Sequence, residues 1–145
     1  MKIVVNANLF ASALIKPKSN PGRILDLIKQ NQVELILSPA IIKEIKRILL
    51  YPKLQKYHRK TTQEIDIYFE DVLMFAWIVE GEDVVDIIED DPTDNKYLAG
   101  AYEGEADYIV SGDHHLLDIK TYKGIKILKA KSFLNIWKKF ILSTD

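Results

Sequence analysis

Short apolar runs alternate with amphipathic stretches along this chain of 145 residues. Lys2-Ile3-Val4-Val5 and Glu34-Leu35-Ile36-Leu37 read as buried strands, short and apolar on both faces. Between them, residues 9–15 predict a short helix starting near Asn8, and residues 17–22 a turn. Ile24, Leu25, Leu27 and Ile28 then form the apolar stripe of a second helix. Ser38-Pro39 is a good N-cap and N1 pair, so it opens a helix through Leu50, which Tyr51-Pro52 stops. Thr61-Thr62-Gln63-Glu64 opens the next, running to about Trp77. Residues 84–88 predict a third strand, and Asp91-Pro92-Thr93-Asp94 a loop with a strong capping residue. A helix follows over residues 95–103, closed by Gly104 as a C′ glycine. Residues 106–110 predict a fourth strand, 114–118 a short helix, 125–128 a fifth strand and 132–142 a final amphipathic helix. Strands alternating with helices imply an α/β fold, a parallel sheet covered on both faces.

Composition narrows the class of molecule. At this length, with 48% hydrophobic residues, one globular domain over residues 1–145 is the expectation. There is no Cys, which excludes disulfide scaffolds, Cys-based zinc sites and thiol nucleophiles. No apolar run approaches the roughly 18–20 residues of a membrane span. The first residues lack the apolar core of a signal peptide, so the expected location is the cytoplasm. The net charge of −1 argues against a passive nucleic-acid binder, but it hides an asymmetry. Residues 80–94 carry eight acids and no base, whereas residues 114–140 carry seven Lys and one acid, Asp118. Lys53, Lys56, Arg59 and Lys60 form a second basic stretch, read as a loop around Tyr57 and His58. An acidic centre with basic surroundings suits a metal site that handles a polyanion.

In an open parallel sheet the ligand site lies beyond the carboxyl ends of the strands. Asn6-Ala7-Asn8 follow the first strand, Ser38 and then Glu44 the second, Asp90 to Asp94 the third, and Ser111-Gly112-Asp113 the fourth. Carboxylates crowded into one crevice repel each other, and a hard dication such as Mg²⁺ or Mn²⁺ removes the conflict. A bound dication also polarises a phosphoryl oxygen and acidifies a water, so metal-assisted phosphodiester hydrolysis is the chemistry to expect. The plainer alternative makes Asp94 and Asp113 helix caps and Glu44 part of a solvated face. It explains each residue singly, and less well why all lie on one edge of the sheet.

Five segments carry a family resemblance: Ile3-Val4-Val5-Asn6-Ala7-Asn8-Leu9-Phe10, Asn20-Pro21-Gly22-Arg23-Ile24-Leu25, Ser38-Pro39-Ala40-Ile41-Ile42-Lys43-Glu44, Asp91-Pro92-Thr93-Asp94-Asn95-Lys96-Tyr97-Leu98 and Ala106-Asp107-Tyr108-Ile109-Val110-Ser111-Gly112-Asp113. In this order and spacing the chain resembles the PIN-domain ribonucleases, more closely the toxin components of toxin–antitoxin pairs. The resemblance implies a three-layer α/β/α sandwich with a mostly parallel sheet of about five strands. It implies Mg²⁺- or Mn²⁺-dependent cleavage of RNA, an antitoxin partner and a homodimer. Glu44, Asp94 and Asp113 match the family's acids, Ser111 its small hydroxyl residue and Asn8 the polar residue of the first motif. Asp94 and Asn95 are adjacent and either aligns with the third acid; Asp94 is preferred because only it ligates a metal as an anion.

The departure is Asn6, where the family has Asp. A neutral amide forfeits a charge whose attraction, about 4 Å from a metal, is worth about 4 kcal/mol per unit of metal charge at an effective dielectric near 20. The resemblance therefore implies an attenuated or inactive copy, either naturally degenerate or altered to silence a toxic enzyme. The rival reading is a degenerate domain that binds an antitoxin or RNA without cleaving; a phosphoacceptor domain of receiver type lacks a clear single acceptor Asp. His114 and His115 read as the first turn of an exposed helix rather than as catalytic groups. Lys16, Lys18, Arg23, Lys43 and Lys46 are candidate rim cations, with Tyr51 and Tyr57 as stacking platforms for unpaired bases. Ile65, Ile67, Phe69, Leu73, Phe75 and Trp77 are too many large groups for one core face and leave room for a protein-binding surface.

Overall fold

The computed structural model describes residues 1–82 and 94–143. The strand expected over residues 84–88, and Asp90 to Thr93, lie outside the described residues. The chain order is β1 (Lys2–Val5), α1 (Ala7–Ile15), α2 (Asn20–Lys29), β2 (Glu34–Leu37), α3 (Pro39–Leu49), α4 (Pro52–His58), α5 (Thr62–Met74), β3 (Ala76–Ile78), α6 (Asn95–Glu103), β4 (Tyr108–Val110), α7 (His114–Ile119), β5 (Thr121–Tyr122), β6 (Ile125–Leu128) and α8 (Ala130–Ser143). Among the described residues the strands form one sheet in the order β3-β2-β1-β4-β6-β5. Every pairing is parallel except that of β5 with β6. Ile3, Val4, Val5, Leu35, Ile36 and Leu37 are all buried, as central strands with helices on both faces require. The result is a three-layer α/β/α sandwich.

Its topology places the site. From β1 the chain crosses to β2 on one side, while β4 pairs with β1 on the other, so the strand order reverses between β1 and β4. Val5 and Val110 are in register, and the Asn6 N–H donates to the Val110 carbonyl (2.9 Å). The residues leaving these two strands, Asn6 and Ser111 to Asp113, therefore emerge side by side at the switch point, where such sheets bind ligands.

Three predicted boundaries are corrected. The turn expected over residues 17–22 ends early, because Ser19 caps α2, accepting the Gly22 N–H, and Asn20 to Gly22 already belong to that helix. The helix expected to reach Trp77 ends at Met74, and Ala76–Ile78 form β3 instead. The open edge of β2 captures that segment: Leu35, Ile36 and Leu37 pair with it, and the Val79 N–H donates to the Leu37 carbonyl (2.9 Å). The basic stretch expected as a loop is helical over Pro52–His58. Pro52 ends α3 and also occupies the first turn of α4, where its missing N–H costs nothing. Helix α4 is held by His58, whose ring nitrogens contact the Leu49 carbonyl and accept the Lys60 N–H (both 2.9 Å).

Gly104 also plays another part than expected. It has ordinary helical φ, and the left-handed residue is Glu105 (φ 55°). A Cβ at Gly104 would lie 2.7 Å from the Ile36 side chain, so glycine lets the end of α6 press against β2. One hydrophobic cluster runs from Ile3 to Leu134, with Tyr97, Phe10, Phe69 and Phe133 its largest fully buried members. No helix among the described residues is long and apolar enough to cross a membrane.

Candidate active site

Asn6 leaves β1 with extended backbone and caps α1: its Oδ1 accepts the Asn8 N–H (3.0 Å). The side chain is buried, and this bond fixes the orientation of the amide. With Oδ1 engaged as the cap, Asn6 offers the cavity no negative charge. Beside it, the Ala7 N–H donates to the Tyr97 hydroxyl (3.1 Å), another of the first N–H groups of α1 that need an acceptor.

Tyr97 is fully buried and sits three residues beyond Asp94 on α6. Burial, and then the negative Glu44 nearby, push its hydroxyl far above the usual tyrosine value against the opposing Ala7 N–H. The hydroxyl therefore keeps its proton beside the Glu44 carboxylate. Lys96 reaches the same carboxylate from the first turn of α6, its Nζ paired with Glu44 Oε2. Two neighbouring residues of one helix thus stand against Glu44.

Asp94 stands at the N-cap position of α6 without making a capping bond, although its sequence context suggested a strong cap. It is buried, and its carboxyl lies close enough to Asp113 to influence that residue's ionisation. Asp113 caps α7, accepting the His115 N–H at Oδ1 (2.9 Å), while its own N–H donates to the buried Ser111 hydroxyl (2.9 Å). Burial opposes ionisation of Asp113, but the neighbouring Asp94, the His115 N–H and the nearby His115 and His114 rings outweigh it. Its carboxyl is held below the ordinary value.

Asn6, Asn8, Glu44, Arg47, Ile48, Tyr51, Leu54, Asp94 and Asp113 line one open cavity of about 400 Å³. The structure therefore brings together the three acids and the two asparagines singled out in the sequence. Ser111 lies behind Asp113 as a hydrogen-bond support. Lys43 lines an adjoining cleft, whereas Lys46 turns away, its ammonium 5.5 Å above the Phe69 ring. Tyr51 forms part of the wall; Tyr57 is exposed elsewhere on α4. Arg23 lines a separate cavity with Trp137. Sequence reasoning passed over Arg47, Lys96 and Tyr97. The spacing of Glu44, Arg47, Ile48 and Tyr51 (i, i+3, i+4, i+7) marks one helical face and could have flagged Arg47.

Two carboxylates facing one cavity repel each other, and a hard cation relieves that repulsion. On that criterion Asp94 and Asp113, which line the same cavity, fit a dication. Asn6 adds no charge to them, and its oxygen is already shared with the Asn8 N–H. Asp113, His114 and His115 also bring ligand atoms within 4.8 Å of one another, with the two imidazole rings 4.0 Å apart.

An α/β/α sandwich with clustered acids at the switch point of its sheet defines the class. Within that class, the PIN domain family model matches residues 2–115, and the chain belongs to that family. An uncharacterized protein of Methanocaldococcus jannaschii, MJ1680, is 33% identical over 151 residues, covering 97% of this chain and 94% of the relative. The crystal structure of VapBC2 from Rickettsia felis, bound to a DNA fragment from their promoter, is similar in fold. Its TM-score is 0.56 at 13% identity, over 88% of this chain and 97% of that one.

Proposed function

We propose that this PIN domain is built as a metal-dependent endoribonuclease, the toxin of a toxin–antitoxin pair acting in the cytoplasm, and that Asn6 attenuates this copy. The observation that carries the reading is the convergence of Glu44, Asp94 and Asp113 on one cavity at the switch point. Asp94 and Asp113 would hold Mg²⁺ or Mn²⁺, with position 6 contributing when it is Asp. A dication bound there supplies polarisation of a phosphoryl oxygen and a more acidic water. The chain's own residues do the positioning. Lys96 holds the Glu44 carboxylate on one side of the cavity through its ion pair. Ser111 and the first turn of α7 fix Asp113 on the other. The antitoxin partner rests on the resemblance in fold to the VapBC2 complex, and a homodimer on the family resemblance.

Asn6→Asp should convert the chain into a nuclease. An Asp would keep one oxygen on the Asn8 N–H and offer the other to the metal. Expected is Mn²⁺-dependent cleavage of single-stranded RNA by the Asn6→Asp protein, lost again on adding Asp113→Asn. An Asn6→Asp protein that is folded yet inert towards varied RNAs in Mn²⁺ would sink the enzyme reading.

The capping role of Asn6 favours a second reading, a non-cleaving domain that retains antitoxin or RNA binding, since a neutral amide already shared with α1 attracts a cation less than a carboxylate would. That reading expects no gain of cleavage from Asn6→Asp, with binding intact.

A further inference from the structure

A second cleft of about 400 Å³ adjoins the acidic cavity, lined by Ala40, Lys43, Glu44, Arg47 and Lys96. The two share Glu44 and Arg47 in their linings. Asp94 and Asp113 line the first. Lys43, Arg47 and Lys96 line the second, with Glu44 the carboxylate among them. Lys43 and Arg47 lie one turn apart on α3, and Lys96 comes from α6.

We propose that Lys43, Arg47 and Lys96 form a phosphate subsite that seats the backbone of an RNA strand beside the one presented to the acidic end. This rests on the ribonuclease reading of the acidic cavity and adds to it a direction for the strand. Acids alone would repel a polyanion, so a strand needs cations next to them to stay in place. The volume suits the purpose, falling within the roughly 300–1,000 Å³ typical of ligand pockets. The chemistry suits it too, since a guanidinium and two ammonium groups line the cleft together with the aliphatic stems that carry them, and charge-assisted bonds to phosphate oxygens are the strong contacts such groups make. Glu44 sets the position of Lys96. The ion pair holds the ammonium at the junction of the two clefts, and an ammonium has three donors, so pairing with Glu44 leaves others for a phosphate oxygen. Tyr51, half-exposed in the wall one turn beyond Arg47, offers a ring face to an unpaired base of the same strand.

The test is metal-free, so cleavage does not enter it. A short fluorescein-labelled oligouridylate is titrated with the full chain in EDTA, and anisotropy is followed over a salt series. Lys43→Gln and Arg47→Gln leave the Glu44–Lys96 pair untouched. Each should weaken binding severalfold and flatten the plot of log affinity against log salt by about 0.7 of a unit for each phosphate no longer neutralised. Lys96→Arg should retain binding that Lys96→Gln loses, whereas Lys138→Gln with Lys139→Gln on α8 should change little. The proposal is overturned if the native chain fails to bind at low salt, if the Lys43→Gln/Arg47→Gln double variant binds as the native chain does, or if the α8 control loses as much. Binding that depends on these three cations in a protein whose Asn6→Asp form stays inert would uphold the subsite and refute only the nuclease.

Discussion

Asn6 contributes one neutral oxygen, which caps α1. A carboxylate in the same place would bring a second oxygen and a negative charge while leaving the helix capped. The exchange also adds a third acid beside Asp94 and Asp113, which line the same cavity. Without metal the Asn6→Asp protein should therefore melt below the native chain. With Mn²⁺ at about 100 times its dissociation constant it should regain about 2.7 kcal/mol by mass action. Thermal denaturation with and without EDTA reads the difference; equal response of both proteins to Mn²⁺ would count against position 6 as part of a cation site. At this scale the sequence showed the acids plainly, because Glu44, Asp94 and Asp113 each follow a strand or open a helix. It did not show Tyr97 or Lys96. Their roles come from the packing of α6 against α3 and α1, which no local pattern records.

Elements with a chemical signal at each end were legible: Ser38-Pro39 opens α3 where expected, and β2 and α6 match their predicted ranges. The elements that were missed depend on partners distant in sequence, or on a residue with two roles. β3 exists because β2 has an edge to offer, the two-residue β5 because β6 does, and Pro52 both ends and begins a helix. Helix α5 carries the clearest local device. Thr61 accepts the Glu64 N–H, and Glu64 accepts the Thr61 N–H in return (both 3.1 Å). Thr61→Ala should cost about 1 kcal/mol in chemical denaturation. The same bonds to Thr61 hold the Glu64 carboxyl below its ordinary value of 4.5. Its ionised form therefore favours the fold above that value, and the contribution fades as pH falls through the lower value of the folded state. Glu64→Gln should flatten this part of the acid limb of a stability–pH curve; an unchanged limb would show that the reciprocal cap does not persist in solution. The large apolar groups of α5 divide as the sequence had left open: Ile65 and Phe69 enter the core, while Ile67 and Met74 face outward.

Over the whole molecule, the balance of 20 bases and 21 acids conceals a local imbalance. The cavity is acidic where β1 and β4 end, and basic side chains of α3 and α6 line the cleft beside it. Three cations, each neutralising about one phosphate of a single strand, correspond to a slope of about −2 for log affinity against log salt. A strongly basic binder would give a much steeper slope. Anisotropy titrations from low to physiological salt should return the shallow value, and a steep one would point to Lys-rich α8 as the contact surface instead.

The Tyr97 hydroxyl has one further consequence, a mechanical one. The oxygen belongs to α6, accepts the Ala7 N–H of α1, and lies beside Glu44 of α3. One buried atom thus joins helices that are far apart in sequence. Tyr97→Phe would leave the Ala7 N–H without its acceptor and would disturb that junction beneath the acidic cavity.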